Sequence, residues 1–337
     1  MFPLRNLSIV YLICLSTGLL TMPLACSGWE SILCKYSIRD VGFVNVHGKT
    51  WQVQLLKPPG LDGASFEKLD ATVRRKFQRT NVSHLWIEAD SEQAGKLLRS
   101  VVGNNENGNN ENGKKRIGFL VSPDGAVVSI LPAMESDALG AIEATIDDLI
   151  HSPIRKKILA ATSQSLCAVV LFCSGEKTRD NAAVEILDKA SQRLQKQMWM
   201  LEKPTDSPPV SLVVDASQQN KEKWLMYSLG VEANRTPAVV ILYGQGRRLG
   251  GILAMEDLTA ENIVGQASVC GRDCECDLDR NWLYGHQMIH QWTLQSERAA
   301  ENTLNFDPHA SLVIAEVAQI IRKNNSAGGL AKPVNRS

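Results

Sequence analysis

The chain predicts an α/β protein made of two copies of one βαβαββα unit, each a mixed sheet with flanking helices. Three observations carry that expectation. At 337 residues the chain exceeds what one ordinary core holds, which points to about two domains. Its 44% hydrophobic and 21% charged content is that of packed globular protein. The same order of short apolar runs and longer amphipathic stretches then occurs twice, with turn glycines Gly125 and Gly246 at matching places 121 residues apart.

In the first copy, strands are expected at Trp51–Leu56, Ser83–Glu88, Ile117–Ser122 and Ala126–Leu131. Helices are expected at Ser65–Gln78, Glu92–Val101 and Ser136–Ile150, where apolar residues recur at three- and four-residue spacing. In the second copy, strands fall at Leu166–Cys173, Val210–Asp215, Ala238–Tyr243 and Arg247–Leu253, and helices at Thr178–Gln197, Gln218–Leu229 and Thr259–Ala267. The register bears checking. Ala89 and Ala216 lie 127 residues apart, so copy one is six residues longer before its turn glycine. That excess coincides with GNNENGNNENG at residues 103–113, which has no apolar residue to bury and reads as a surface loop. The expected domains are 34–152 and 160–269, followed by a cysteine-containing segment and C-terminal helices at 270–323 and a polar tail at 324–337. Before the first copy, VGFVNV at 41–46 reads as strand-like, either a further strand of copy one or a bridge between the copies.

Residues 1–26 read as a signal peptide: Arg5 gives a positive start, and Ile9–Met22 has the length of a signal core and falls short of a membrane span. Leu24-Ala25-Cys26 looks like a bacterial lipobox, with Pro23 against that pattern, so Cys26 is a lipidation candidate and ordinary cleavage near Ser27 or Gly28 is the alternative. Both routes lead to the periplasm or cell envelope, where cysteines can pair. Lys plus Arg and Asp plus Glu each total 36, so nothing points to nucleic acid, and membrane contact is expected only through a lipid anchor.

The stretch NRTPAVVILYGQGRRLGG, Asn234–Gly251, places a Thr-Pro step directly before the first strand of a terminal hairpin. Together with VVLFCSGEKTRDNAAVEIL it resembles the thioredoxin-like superfamily, and the likeness covers roughly Lys49–Ser268. The resemblance implies a cis Thr236-Pro237 bond. It also implies a loop whose main-chain groups pair with an extended peptide, flanked by Thr236, Pro237 and Val239. Copy one matches by pattern alone, with Arg116 where the Pro would fall. Thioredoxins carry Cys-x-x-Cys at the end of the first strand, where a helix N-terminus activates the leading thiol. Here Lys177-Thr178-Arg179-Asp180 fills that spacing, so the site reads as redox-dead. Cys167 and Cys173 share one extended run, about 20 Å apart, and read as small buried apolar residues.

Cys270, Cys274 and Cys276 follow the second copy, and Cys34 precedes the first. Three readings are open for this cluster. Bridges among these four staple the tail to the N-terminal segment. Alternatively Cys270, Cys274 and Cys276, with His286 or His290, bind zinc or cuprous copper, or a pair of them forms a relocated redox centre. Setting aside Cys14 and Cys26, six cysteines remain of the eight, and their connectivity is not legible. Trp282, Leu283, Met288, Ile289 and Trp292 recur at helix-like spacing, and Leu312, Ile314, Val317, Ile320 and Ile321 suggest a last amphipathic helix.

The sequence contains no phosphate loop, dinucleotide fingerprint, His-Glu-x-x-His or Gly-x-Ser-x-Gly motif, and no cofactor is expected. The reading that follows is an exported, redox-inactive scaffold that binds another envelope protein or a peptide. A thiol-disulfide oxidoreductase or metal chaperone built on the cysteine cluster is the alternative.

Overall fold

Residues Ala168–Phe172 and Ala238–Tyr243 are apolar without interruption, so neither face of their strands tolerates water. In the computed structural model, which describes residues 35–44, 50–57, 62–102, 116–132, 138–273, 285–304 and 306–317, both runs are interior strands covered by helices on two sides. The elements in chain order are α1 (Ile38–Val41), β1 (Trp51–Leu56), α2 (Gly63–Phe77), β2 (Val82–Ile87), α3 (Glu92–Val102), β3 (Arg116–Val121), β4 (Val127–Pro132) and α4 (Ala138–Ile150). After α5 (Pro153–Gln164) come β5 (Ala168–Phe172), α6 (Lys177–Gln197), β6 (Val210–Val214), α7 (Ala216–Gln219), α8 (Lys223–Leu229), β7 (Ala238–Tyr243), β8 (Arg247–Ala254), α9 (Ala260–Ser268) and α10 (Leu294–Thr303).

The strands form two four-stranded mixed sheets, ordered β2-β1-β3-β4 and β6-β5-β7-β8. In each, the first two strands of the unit run parallel and a hairpin adds two antiparallel ones. Side chains alternate across the second sheet with period two: Val169, Leu171, Val239 and Ile241 pack beneath α6 and α9, while Ala168, Val170, Phe172, Val240 and Leu242 face α5 and α8. In the first sheet Trp51, Val53 and Leu55 pack with α2 and α4, and Leu56 and Phe119 pack with α3.

Four local expectations need correction. The stretch expected as a strand from Val41 is instead the end of α1 and a turn to Val44; residues 45 and 46 lie outside the described residues. Ser37 caps this short helix in a reciprocal capping box with Asp40. It docks on the second unit, where Gln245 donates its N–H to the Gly42 carbonyl at 3.0 Å and its Nε2 to that of Phe43 at 3.0 Å. The approach is close enough that a Cβ on Gly244, which has φ +56°, would fall 2.1 Å from the Gly42 carbonyl carbon. Second, the helix expected over 218–229 is two pieces, α7 and α8. Third, residues 153–164, unassigned by sequence, form α5, begun by the Ser152 cap and Pro153.

Fourth, residues 285–292 are not helical but extended, and form a strap between the two units. On one side Arg248 N–H donates to His286 O at 2.9 Å and Met288 N–H to Gly246 O at 3.0 Å. On the other, Trp292 N–H donates to Arg79 O at 2.7 Å, and Trp51 Nε1–H to Gln287 O at 2.8 Å. Met288, Ile289 and Trp292 are buried, as their docking on the body required. Residues 311–317 are helical, and the rest of that amphipathic stretch lies outside the described residues. So do the segment expected as a signal peptide, with Cys26, the stretch 103–113 expected as a loop, Trp282, Leu283 and residues 324–337. Among the described residues no helix is long and apolar enough to cross a membrane.

Candidate functional site

The position expected to be redox-dead lies where β5 ends and α6 begins. Cys173 leaves the strand 5% exposed, and burial, followed by the charges of Asp180 and Asp215, pushes its thiol up to about 11. A thiol so placed is not ionised at neutral pH and is a poor nucleophile. The loop beyond it is closed by Asp180, whose carboxylate accepts from Ser174 N–H at 2.6 Å, Ser174 Oγ at 2.8 Å and Gly175 N–H at 2.8 Å. Burial opposes ionisation of that carboxyl, but the hydrogen bonds from Ser174 and Gly175 outweigh it and hold it below the usual carboxylate range.

Thr236-Pro237 is cis. The main-chain groups expected to receive a peptide there already have partners. Thr236 is 3% exposed, its N–H donates to Ala233 O at 3.4 Å, and its carbonyl accepts from Arg179 Nη2 at 3.3 Å. Pro237 is buried. Val239 does not flank an edge: it is fully buried in β7, paired with Leu171 on one side and Leu253 on the other. Arg179, from the first turn of α6, thus occupies the Thr236 carbonyl.

Of the cysteine cluster, Cys270 lies within the described residues, fully buried in a 3-10 turn at Val269–Gly271; Cys34, Cys274 and Cys276 lie outside them. Ser37 forms an antiparallel bridge with Asp273, and Ile38 N–H donates to Arg272 O at 3.1 Å, so the N-terminal segment and the stretch entering the cluster lie side by side. His290 is turned inward, 1% exposed, with Nδ1 3.0 Å from Met288 O. Burial is the main cause that brings its pKa down to about 4. His286 contributes its carbonyl to the strap. Among the described residues no group of three or more His, Cys, Asp and Glu side chains is placed to hold a metal ion.

A different place is open. Beside the outer edge of β2 a groove of about 520 Å3 is lined by Lys57, Phe66, Asp70, Arg74, His84, Leu85 and Trp86. Phe66, Asp70 and Arg74 stand at four-residue intervals on α2 and so share one helix face. His84 and Trp86, two apart on β2, share one strand face. Asp70 joins the two elements: its Oδ1 accepts from Trp86 Nε1–H at 2.9 Å and lies 3.4 Å from His84 Nε2, while Arg74 Nε pairs with Oδ2 at 2.8 Å. Burial raises the Asp70 pKa, but the bonds from Trp86 and His84 and the Arg74 charge together hold the carboxyl low. Phe66 meets Trp86 edge-to-face at 5.2 Å, and Lys57 Nζ stands 5.1 Å over the Phe66 ring while also pairing with Glu88.

The main chain at this edge is available. Lys57 N–H donates to Ile87 O at 2.9 Å, which sets the phase of the parallel ladder. Ser83, Leu85 and Ile87 turn their peptide groups toward β1, and those of His84 and Trp86 point away from the sheet. Among the described residues no strand lies beyond β2. Sequence reasoning passed over this place, although aromatic, acidic and basic residues at i, i+4 and i+8 of one helix were its visible signal.

Compared with protein-family models and with curated protein sequences, the chain matches none. Fold and site together define an α/β protein of two four-stranded mixed sheets with flanking helices, one sheet edge of which opens on an aromatic groove.

Proposed function

We propose that the chain is an exported, redox-inactive protein of tandem thioredoxin-like units that binds an extended segment of another envelope protein along β2. The repeated βαβαββα order and the cis Thr236-Pro237 peptide support the thioredoxin-like reading. The high pKa of Cys173 and the loop closed by Asp180 support the absence of redox chemistry at the position where that family places it. The Ile9–Met22 apolar run and the Cys26 lipobox support export, with or without an anchor.

One observation carries the binding site: the outward main-chain groups of His84 and Trp86 run beside a groove floored by Phe66 and Trp86. An added strand gains affinity from main-chain hydrogen bonds and specificity from alternate side chains entering a pocket. Here every second residue of the guest would face the groove, which suits an aromatic or long aliphatic side chain.

Selection of a displayed random-peptide library on the folded full chain tests this. The expected winners alternate apolar and polar residues. Trp86→Ala is expected to weaken their binding at least tenfold, and His84→Pro, which deletes one outward donor at a sheet edge that tolerates proline, by a similar factor. Winners indifferent to both changes, with circular dichroism unaltered, would sink the β2 site. Cysteine-dependent reduction of insulin by the wild type would sink the redox-inactive reading.

A further inference from the structure

Cys167 and Cys270 are 103 residues apart in sequence, yet both are free thiols fully buried in one and the same core cluster beneath α6 and α9, where Cys270 acts directly on the Cys167 thiol. Each is held by regular structure. Cys167 lies one residue before β5, where its carbonyl accepts from Val210 N–H at 3.0 Å and its neighbour Leu166 donates to Ser207 O at 3.2 Å. Cys270 occupies the turn that ends α9, with Gly271 O accepting from Lys203 N–H at 2.9 Å. Cys173 is six residues along the same strand from Cys167, beyond bridging distance.

We propose that Cys167 and Cys270 form a disulfide in the mature protein, closing a loop that contains β5, β6, β7, β8 and their helices. Two free thiols that face each other within one packed core are the pair a disulfide can join with little movement of the chain. The proposal rests on the exported reading, since an oxidising compartment supplies the disulfide donor. In the exchange, the thiolate of one cysteine attacks a donor disulfide and expels one donor sulfur as thiolate, which takes up a proton. The second thiol, giving up its own proton, attacks the mixed disulfide, forms the Cys167–Cys270 bond and releases the donor as a dithiol.

Arg39 bears on the timing. Its buried guanidinium donates through Nε to Ser165 O at 2.8 Å and through Nη2 to Ser163 O at 3.3 Å, and its charge acts on both sulfurs. That charge favours a thiolate, but the hydrogen bond to Cys270 and then burial hold the Cys167 thiol well above its ordinary range. With Ile38 of α1 packed in the same cluster, exchange must precede the docking of α1. Pairing Cys270 with Cys167 also removes Cys270 from the set that could join Cys34, Cys274 and Cys276 in a metal or redox centre.

Peptide mapping by mass spectrometry tests the pair in two arms. In the first, full chain reduced, unfolded and refolded with glutathione disulfide is alkylated and digested without reductant. The expected product is a peptide linking Cys167 to Cys270, with a thermal midpoint that reductant present during refolding lowers by roughly 10 °C. Cys167 recovered alkylated while other cysteines are oxidised, or Cys270 linked elsewhere, overturns the pairing. A Cys167→Ala, Cys270→Ala variant, if it folds, is expected to have a midpoint that reductant moves far less. In the second arm the same map is made on chain from the envelope fraction. The link present in the first arm and absent in the second overturns the exported reading and leaves the pairing standing.

Discussion

His290 shows how a single residue acquires a property from its surroundings. Its ring packs edge-on to Trp292 at 6.2 Å and 83°, with Nδ1–H donating to the Met288 carbonyl. Protonation is resisted first by burial and then by the charges of Arg155 and Arg247, so the pKa falls to about 4. An unfolded chain restores it to about 6.5. As pH falls, the unfolded state takes the proton first. The contribution of His290 is therefore fully present above about pH 6.5 and is lost progressively toward pH 4, by about 3 kcal/mol in all. His290→Gln removes that slope. Urea titrations at pH 7.5 and 4.5 are expected to show wild type losing more stability on acidification than the variant, and equal losses would refute the assignment. The sequence offered His286 or His290 as a fourth ligand beside Cys270, Cys274 and Cys276; nothing in the sequence showed that the strap turns the His290 ring into the core.

At the scale of the element, the strap at 285–292 has the least legible conformation because it has two partners. A strand or helix with one buried face shows period two or 3.6, whereas a segment buried on both sides shows neither. Met288, Ile289 and Trp292 therefore imitate helix spacing. The eight strands and the helices α2, α3, α4, α6 and α9 were legible because each has a single buried face or, for β5 and β7, two equally apolar ones. α5 was not: Arg155, Thr162 and Ser163 are buried on it and blur the apolar period, although Ser152-Pro153 marked its start. Asn81 holds the strap much as a strand residue would. Its Nδ2–H donates to Met288 O at 2.9 Å and its Oδ1 accepts from His290 N–H at 2.9 Å. Asn81→Ala leaves the His290 N–H without its side-chain partner, while the Met288 carbonyl keeps the His290 ring, at a cost of roughly 1–3 kcal/mol. The expected signature is cleavage within 285–292 under limited proteolysis at protease levels that spare the wild type. Unchanged cleavage with unchanged stability would mean that the strap is held by its other contacts alone.

Across the whole molecule, the two-unit plan was readable in sequence because each unit repeats its own local periodicity, while the join between units is made of long-range contacts invisible to any period. Arg155 is its centre. The guanidinium donates to the carbonyls of Leu149 and, at 3.1 Å, Asp148 at the end of α4, to His151 O at 3.4 Å, and across to Ile289 O of the strap at 3.1 Å. Burial lowers its pKa to about 10 against the favourable charges of Glu222 and Asp148, so it remains cationic at neutral pH. Trp224 of the second unit adds Nε1–H to Asp148 Oδ2 at 2.9 Å, and with Ile289 shares the core of the first. A lysine has the charge but lacks the fork that reaches several carbonyls at once. The wild type is expected to unfold in one calorimetric transition. Arg155→Met, which leaves these carbonyls without their charged donor, is expected to cost about 3 kcal/mol or more and to split the transition, the first unit melting ahead of the second. Arg155→Lys is expected to fall between. A single transition at the wild-type midpoint in Arg155→Met would show that apolar packing around Trp224 and Ile289 couples the units without this cation.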